Sequence, residues 1–155
     1  MIETGTPGLS FGGLEDKMGW RAQPTRQVQM DDCAIPSDNL LGEEGRGLDV
    51  AQTFVHENRI RQAASSLGAA VFCIEESVKY ARERKPFGEA LARNQAIQFP
   101  LVELATQAEM LRLLIRKTAW DMDNTEHKQI EHTLSDKVSM CNYKANRLVC
   151  NAADF

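Results

Sequence analysis

The residues with the most chemistry to offer lie close together: Arg82-Glu83-Arg84-Lys85-Pro86-Phe87-Gly88, followed shortly by Asn94-Gln95. A guanidinium is a permanently charged fork of donors, and an aromatic ring beside it adds a flat apolar face. Together they suit a ligand that is anionic and planar. The same composition also fits a solvated helix end whose cations complement the macrodipole, and composition alone leaves both readings open. Pro86 disfavours helical geometry at Lys85, and Gly88 can take a positive φ, so the chain is expected to turn here.

Metal chemistry has little support. Cys33, Cys73, Cys141 and Cys150 are far apart, no CxxC or HxxxH spacing occurs, and His56, His127 and His132 are not grouped with them. A structural zinc site is therefore not expected. An even cysteine count without a secretion signal does not imply disulfides, so reduced thiols in an intracellular compartment are the expectation. The N-terminus, Met1-Ile2-Glu3-Thr4-Gly5, reads as neither a signal peptide nor a transit segment.

The chain must hold these residues with 155 amino acids, 43% hydrophobic and 26% charged. That is enough for one domain with a real core. A net charge of −4 gives no basic field for nucleic acid. Apolar runs are short and interrupted by charge, which argues against a transmembrane helix.

Two regimes of periodicity divide the chain. Residues 1–42 are rich in Gly, Pro and Asp; Gln27-Val28-Gln29-Met30-Asp31 alternates like a half-buried strand, and Ser10-Phe11-Gly12 and Met18-Gly19-Trp20 read as short strand or turn pieces. Ile35-Pro36-Ser37-Asp38-Asn39 reads as an exposed loop. Two or three such strands do not stand alone, so something must cover or complete them.

From Gly47 the period becomes helical. Ile60, Ala63/Ala64, Leu67, Val71, Ile74 and Val78 form one stripe, with Ala64, Gly68, Ala69 and Ala70 expected to narrow the surface for close packing. Ile97, Leu101, Leu104, Ala108, Leu111, Ile115, Thr118 and Met122 form a second, in which Pro100 requires either a kink or a helix start just before it. After a polar connection at Asp123–Lys128, a third stripe takes Ile130, Leu134, Val138, Cys141, Ala145, Leu148 and Ala152. It runs into the C-terminus without a capping signal, which suggests a chain cut in mid-pattern. The fold class expected is α+β, mostly α: part of a β-domain over 1–42, then an incomplete antiparallel up-down helix bundle over 43–155.

An ordered set of motifs runs through this frame: Thr6-Pro7-Gly8, Lys17-Met18-Gly19-Trp20-Arg21, Val28 to Asp32, Ile35-Pro36, Asn39-Leu40-Leu41-Gly42, Gly45-Arg46-Gly47 and Arg59. Arg84-Lys85-Pro86-Phe87-Gly88, Gln95-Ala96-Ile97 and Ala119-Trp120-Asp121 continue it. In order and spacing the set resembles the acyl-CoA dehydrogenases, most of all their medium-chain members, over nearly the whole chain. The resemblance implies the second half of the family's middle β-domain plus the first three helices of its C-terminal bundle. It implies FAD as cofactor, α,β-dehydrogenation of an acyl-CoA substrate, a homo-oligomer, and an electron-transfer flavoprotein as electron acceptor. The location implied is the bacterial cytoplasm or the mitochondrial matrix.

The resemblance also assigns roles. Arg84 matches the arginine that reaches the FAD of a neighbouring subunit near its pyrophosphate, Phe87 the aromatic beside it, and Gln95 the amide that contacts the same cofactor. Arg59 matches the arginine that contacts the CoA portion of the substrate, while His56 stands where medium-chain members have a CoA-contacting aspartate. In isovaleryl- and long-chain-type members the catalytic base directly precedes the matching arginine. Here that place holds Asn58, and an amide does not act as a base. Glu57, one residue away, is turned by about 100° around the helix. The medium-chain-type base would lie beyond Phe155, so this chain by itself is expected to be inactive. Two other readings remain open: a non-catalytic helical oligomerisation module, and a fragment of an acyl-CoA oxidase-like flavoenzyme.

Overall fold

The computed structural model describes residues 1–126 and 129–155, with the side chains of Glu131 and His132 outside the description, as are His127 and Lys128 of the expected polar connection. Two compact units result, Met1–Leu48 and Asp49–Phe155. In the first, β1 (Leu9–Phe11) pairs antiparallel with β2 (Val28–Met30), with Leu9 opposite Met30 and Phe11 opposite Val28. Gly8 makes the pairing possible. At φ +84° a Cβ there would sit 2.2 Å from the Asp31 carbonyl oxygen, and the Gly8 carbonyl accepts from the Asp31 N–H at 2.9 Å. Beyond the strands, Gly12 N–H to Gln27 O and Glu15 N–H to Thr25 O, each 3.0 Å, carry the two segments on together.

The alternation in β2 promised a half-buried strand, yet all three of its residues are exposed. A two-stranded ribbon has too little area to cover a face of its own, so the period is legible while its burial is not supplied within this unit. Met18-Gly19-Trp20 forms a bend rather than a strand, and Ser37–Asn39 adds one short turn of 3₁₀ helix after Pro36.

The second unit is built on α1 (Gly47–Glu83), α2 (Gln95–Asp123) and α3 (Ile130–Asp154). One core joins them: Ala63, Leu67, Ala70 and Ile74 from α1, Leu104, Ala108, Leu111 and Ile115 from α2, and Cys141, Ala145, Leu148 and Ala152 from α3. These are the stripes read from the sequence, and burying each large aliphatic contributes roughly 1.5–3 kcal/mol. The small residues of α1 need a correction. Ala63 and Ala70 are fully buried, whereas Ala64, Gly68 and Ala69 face outward, and a Cβ on Gly68 would meet nothing within 4 Å. At 100° per residue, the seam through 63, 67, 70 and 74 turns 64 and 68 to its edge and beyond.

Asn94 starts α2, its side chain accepting from the Ala96 N–H at 2.9 Å. Pro100 consequently lies inside the helix, past its first turn, where its missing N–H would have faced the Ala96 carbonyl. At the other end Asn124 Nδ2 and Thr125 Oγ1 donate at 2.7 Å to the carbonyls of Trp120 and Asp121, closing the last turn. The short connection to α3 makes α2 and α3 antiparallel neighbours. Ser66 Oγ donates to Asn146 Oδ1 at 3.1 Å and Arg59 Nη1 to Ser139 Oγ at 3.3 Å, both across 80 residues, so α1 and α3 run parallel. The result is an up-down-up bundle of three helices after a small antiparallel ribbon, an α+β fold that is mostly α.

Candidate functional site

The turn between α1 and α2 is tightly specified. The Arg84 N–H still donates helically to Tyr80 O at 2.9 Å, and the Arg84 carbonyl accepts from the Leu91 N–H at 2.8 Å. Between them the chain reverses at Phe87 and Gly88, with φ of 56° and 88°. Glycine adopts the left-handed region freely. Phenylalanine does not, at a cost of roughly 1–2 kcal/mol. The Phe87 ring recovers nothing by burial, since it is fully exposed. An aromatic held out in a strained conformation beside cations is a reason to look for a ligand.

Arg84 is exposed in the same turn, and among the described residues no carboxylate pairs with its guanidinium. Nearby Arg93 is engaged with Glu89 at 2.9 Å. Gln95 is exposed as the first residue of α2, directly after the Asn94 cap. An apolar groove of about 260 Å³, lined by Val78, Ala81, Arg82, Ala92, Ile97 and Leu101 among others, lies beside the turn between the end of α1 and the start of α2. The exposed guanidinium, the presented ring and the amide therefore lie along one connection and its end, and their chemistry fits an anionic, flat ligand.

Arg59 lies elsewhere. Arg84 directly follows α1 and is 25 positions beyond Arg59, or roughly 38 Å along the axis at 1.5 Å per residue. The residues assigned to cofactor and to substrate are thus held at opposite parts of one rod, not gathered into one pocket. Around Arg59 the helix presents three different environments. His56 is buried at 2% exposure and its Nδ1 lies 2.7 Å from the Gln52 carbonyl oxygen, which can only accept. Nδ1 therefore donates, while Nε2 is buried without a hydrogen-bond partner among the described residues. Glu57 points outward and pairs with Arg61 at 3.1 Å, which sets it apart from the buried face. Asn58 is half-buried.

Arg59 itself is half-buried, and its guanidinium reaches α3 at Ser139. Nothing in the sequence marks Ser139. It is an exposed serine between the buried Val138 and the exposed Met140, and only the parallel register of α1 and α3 brings it to Arg59. Thr118 and Cys141 form a further cross-helix polar contact, 3.4 Å apart in the core, where burial pushes the Cys141 thiol pKa up. All four cysteines are free, and among the described residues no group of His, Cys, Asp and Glu could hold a metal ion.

A long first helix, a cation-bearing left-handed turn and two further helices antiparallel to each other define the class, part of a helical bundle. Residues 45–155 match the family model for the acyl-CoA dehydrogenase C-terminal domain, and the chain belongs to the acyl-CoA dehydrogenase family. Mitochondrial isobutyryl-CoA dehydrogenase of Bos taurus is 45% identical over 119 residues, 77% of this chain and 29% of the relative. Butyryl-CoA dehydrogenase of Megasphaera elsdenii superposes with a TM-score of 0.82 at 30% identity over 97% of this chain and 38% of the other. A chain in the electron transferring flavoprotein structure of Acidaminococcus fermentans does so with a TM-score of 0.82 at 32% identity, again over 97% and 38%. The chain spans about 30% of the length of the curated relatives it matches.

Proposed function

We propose that this chain supplies part of an FAD-dependent acyl-CoA dehydrogenase acting in β-oxidation, with two separate parts of the α1 region serving two different ligands. Arg84, Phe87 and Gln95 bind the FAD of a neighbouring subunit, and Arg59 binds the CoA portion of the acyl-CoA substrate. The observation that carries the reading is the turn itself, a guanidinium with no carboxylate partner among the described residues three residues before an exposed ring held at φ 56°. A permanent fork of donors suits a pyrophosphate, and a presented ring suits a flat group next to it. When bound, the flavin would supply the hydride-accepting chemistry of α,β-dehydrogenation. The chain's own residues position that group and the thioester's CoA end; that Asn58 is an amide and that Glu57 pairs with Arg61 supports assigning the base to neither.

The large separation of Arg59 from Arg84 supports a homo-oligomer, because it lets one copy serve its own substrate and another copy's cofactor. The outer face of α2 supports it as well. Phe99, Val102, Met110, Leu113 and Trp120 recur there at helical spacing, each more than half exposed, and a patch of that kind marks an interaction surface. Electrons would leave to an electron-transfer flavoprotein, in the mitochondrial matrix of a eukaryote or the cytoplasm of a bacterium. Among the described residues no helix is long and apolar enough to cross a membrane.

Titration of FAD against the chain, followed by flavin fluorescence, tests the reading. Binding that Arg84→Ala weakens about ten-fold or more agrees with it, as expected for loss of a charge-assisted contact. Equal binding by wild type and variant refutes it.

A further inference from the structure

We infer that Ser139 of α3 is a positioning residue for Arg59, so that the anion-binding geometry on α1 is set by a different helix. The inference rests on the proposed role of Arg59 toward the CoA portion and adds the group that aims it. Three observations carry it. Arg59 Nη1 donates to Ser139 Oγ at 3.3 Å across 80 residues of sequence. The register that brings them together is fixed independently, because Ser66 and Asn146, seven residues further along each helix, are also bonded, at 3.1 Å. Asn146 in turn donates to Asn142, one turn back along α3, at 2.8 Å, which holds the amide that Ser66 meets.

The chemistry follows from the donor count. A long arginine side chain loses much rotamer entropy when it is fixed on a ligand, and a contact that restrains it beforehand removes part of that cost. Ser139 accepts from one guanidinium nitrogen and retains its own O–H to donate. The remaining guanidinium N–H groups and that hydroxyl can then converge on an anionic oxygen, the kind of group that phosphates of CoA provide. Exposure agrees with this division of labour. Arg59 is half-buried and anchored, whereas Arg84 just after α1 is exposed and held by no carboxylate among the described residues.

Two measurements on the full chain test it, with Ser66→Ala as the control that breaks the neighbouring seam bond. The first is ¹⁵Nε relaxation of the Arg59 guanidinium without ligand. Ser139→Ala is expected to lower its order parameter, Ser139→Thr to restore it, and Ser66→Ala to leave it unchanged. The second is calorimetric titration with CoA. Ser139→Ala is expected to weaken binding about three- to ten-fold, the worth of one hydrogen bond, with Ser139→Thr restoring it and Ser66→Ala neutral. If Arg59→Ala abolishes CoA binding while Ser139→Ala behaves like Ser66→Ala in both experiments, the positioning role is wrong and the reading of Arg59 stands. If Arg59→Ala leaves CoA binding unchanged, or the chain shows none, the reading of Arg59 fails and the inference falls with it.

Discussion

Replacing Phe87 separates stability from function. The residue sits at φ 56° with its ring fully in solvent, so the folded chain bears the left-handed penalty of roughly 1–2 kcal/mol with no burial to offset it. Asn tolerates this region through its short polar side chain. Phe87→Asn should therefore stabilise the helical unit by about 1 kcal/mol, raising its Tm by roughly 4 °C or somewhat more for a unit of this size. Phe87→Gly gains the same relief but loses roughly 0.5–1 kcal/mol to the added freedom of the unfolded chain, leaving it near neutral. Phe87→Ala keeps the penalty and should be close to wild type. The order Asn above Gly, with Ala and Phe below or level, is read by thermal unfolding followed by circular dichroism. Each of the three variants should bind FAD more weakly, because each removes the ring. An Asn variant that melts below wild type would refute the strain argument, and one that binds FAD as well as wild type would refute the ring's proposed part in binding.

Other outcomes follow from the same geometry. Leu111→Ala, at a core position with 2% exposure, should cost about 2–5 kcal/mol in urea unfolding. Asn94→Ala removes the cap of α2 and should cost about 0.5–2 kcal/mol by the same measurement. The folded Cys141 thiol is raised by burial, so the native state keeps a proton that the unfolded chain releases. Its contribution is present below the unfolded thiol's pKa and is lost as the pH rises through the folded value. Stability should therefore decline at alkaline pH, and Cys141→Ala should flatten that decline. The same burial should leave Cys141 inert to iodoacetamide at neutral pH while the exposed Cys150 is alkylated, as peptide mass mapping would show.

The sequence showed the bundle more clearly than the site. Stripes on α2 and α3 were legible because leucines, isoleucines and alanines repeat at three and four with polar residues between, and helical burial follows that period directly. α1 was less so, since runs such as Ala63-Ala64 and Gly68-Ala69-Ala70 give several small residues and only the register of the partners selects Ala63 and Ala70. The alternation of β2 was real, but its burial depends on area that a two-stranded ribbon does not have. At the turn, Pro86 and Gly88 announced a reversal. That Phe87 and not only Gly88 takes the left-handed geometry arises from the closure of Arg84 O on Leu91 N–H, a medium-range contact with no local signature. Ser139 was invisible for the same reason, as its neighbour is 80 residues away.

The central claim is that two separate parts of the α1 region, around Arg59 and just after the helix at Arg84, serve two ligands. One crossed binding experiment tests it directly, with FAD and CoA affinities measured for wild type, Arg84→Ala and Arg59→Ala. The account predicts that Arg84→Ala weakens FAD alone and Arg59→Ala weakens CoA alone. Equal losses of both ligands in both variants, or no loss in either, would contradict it.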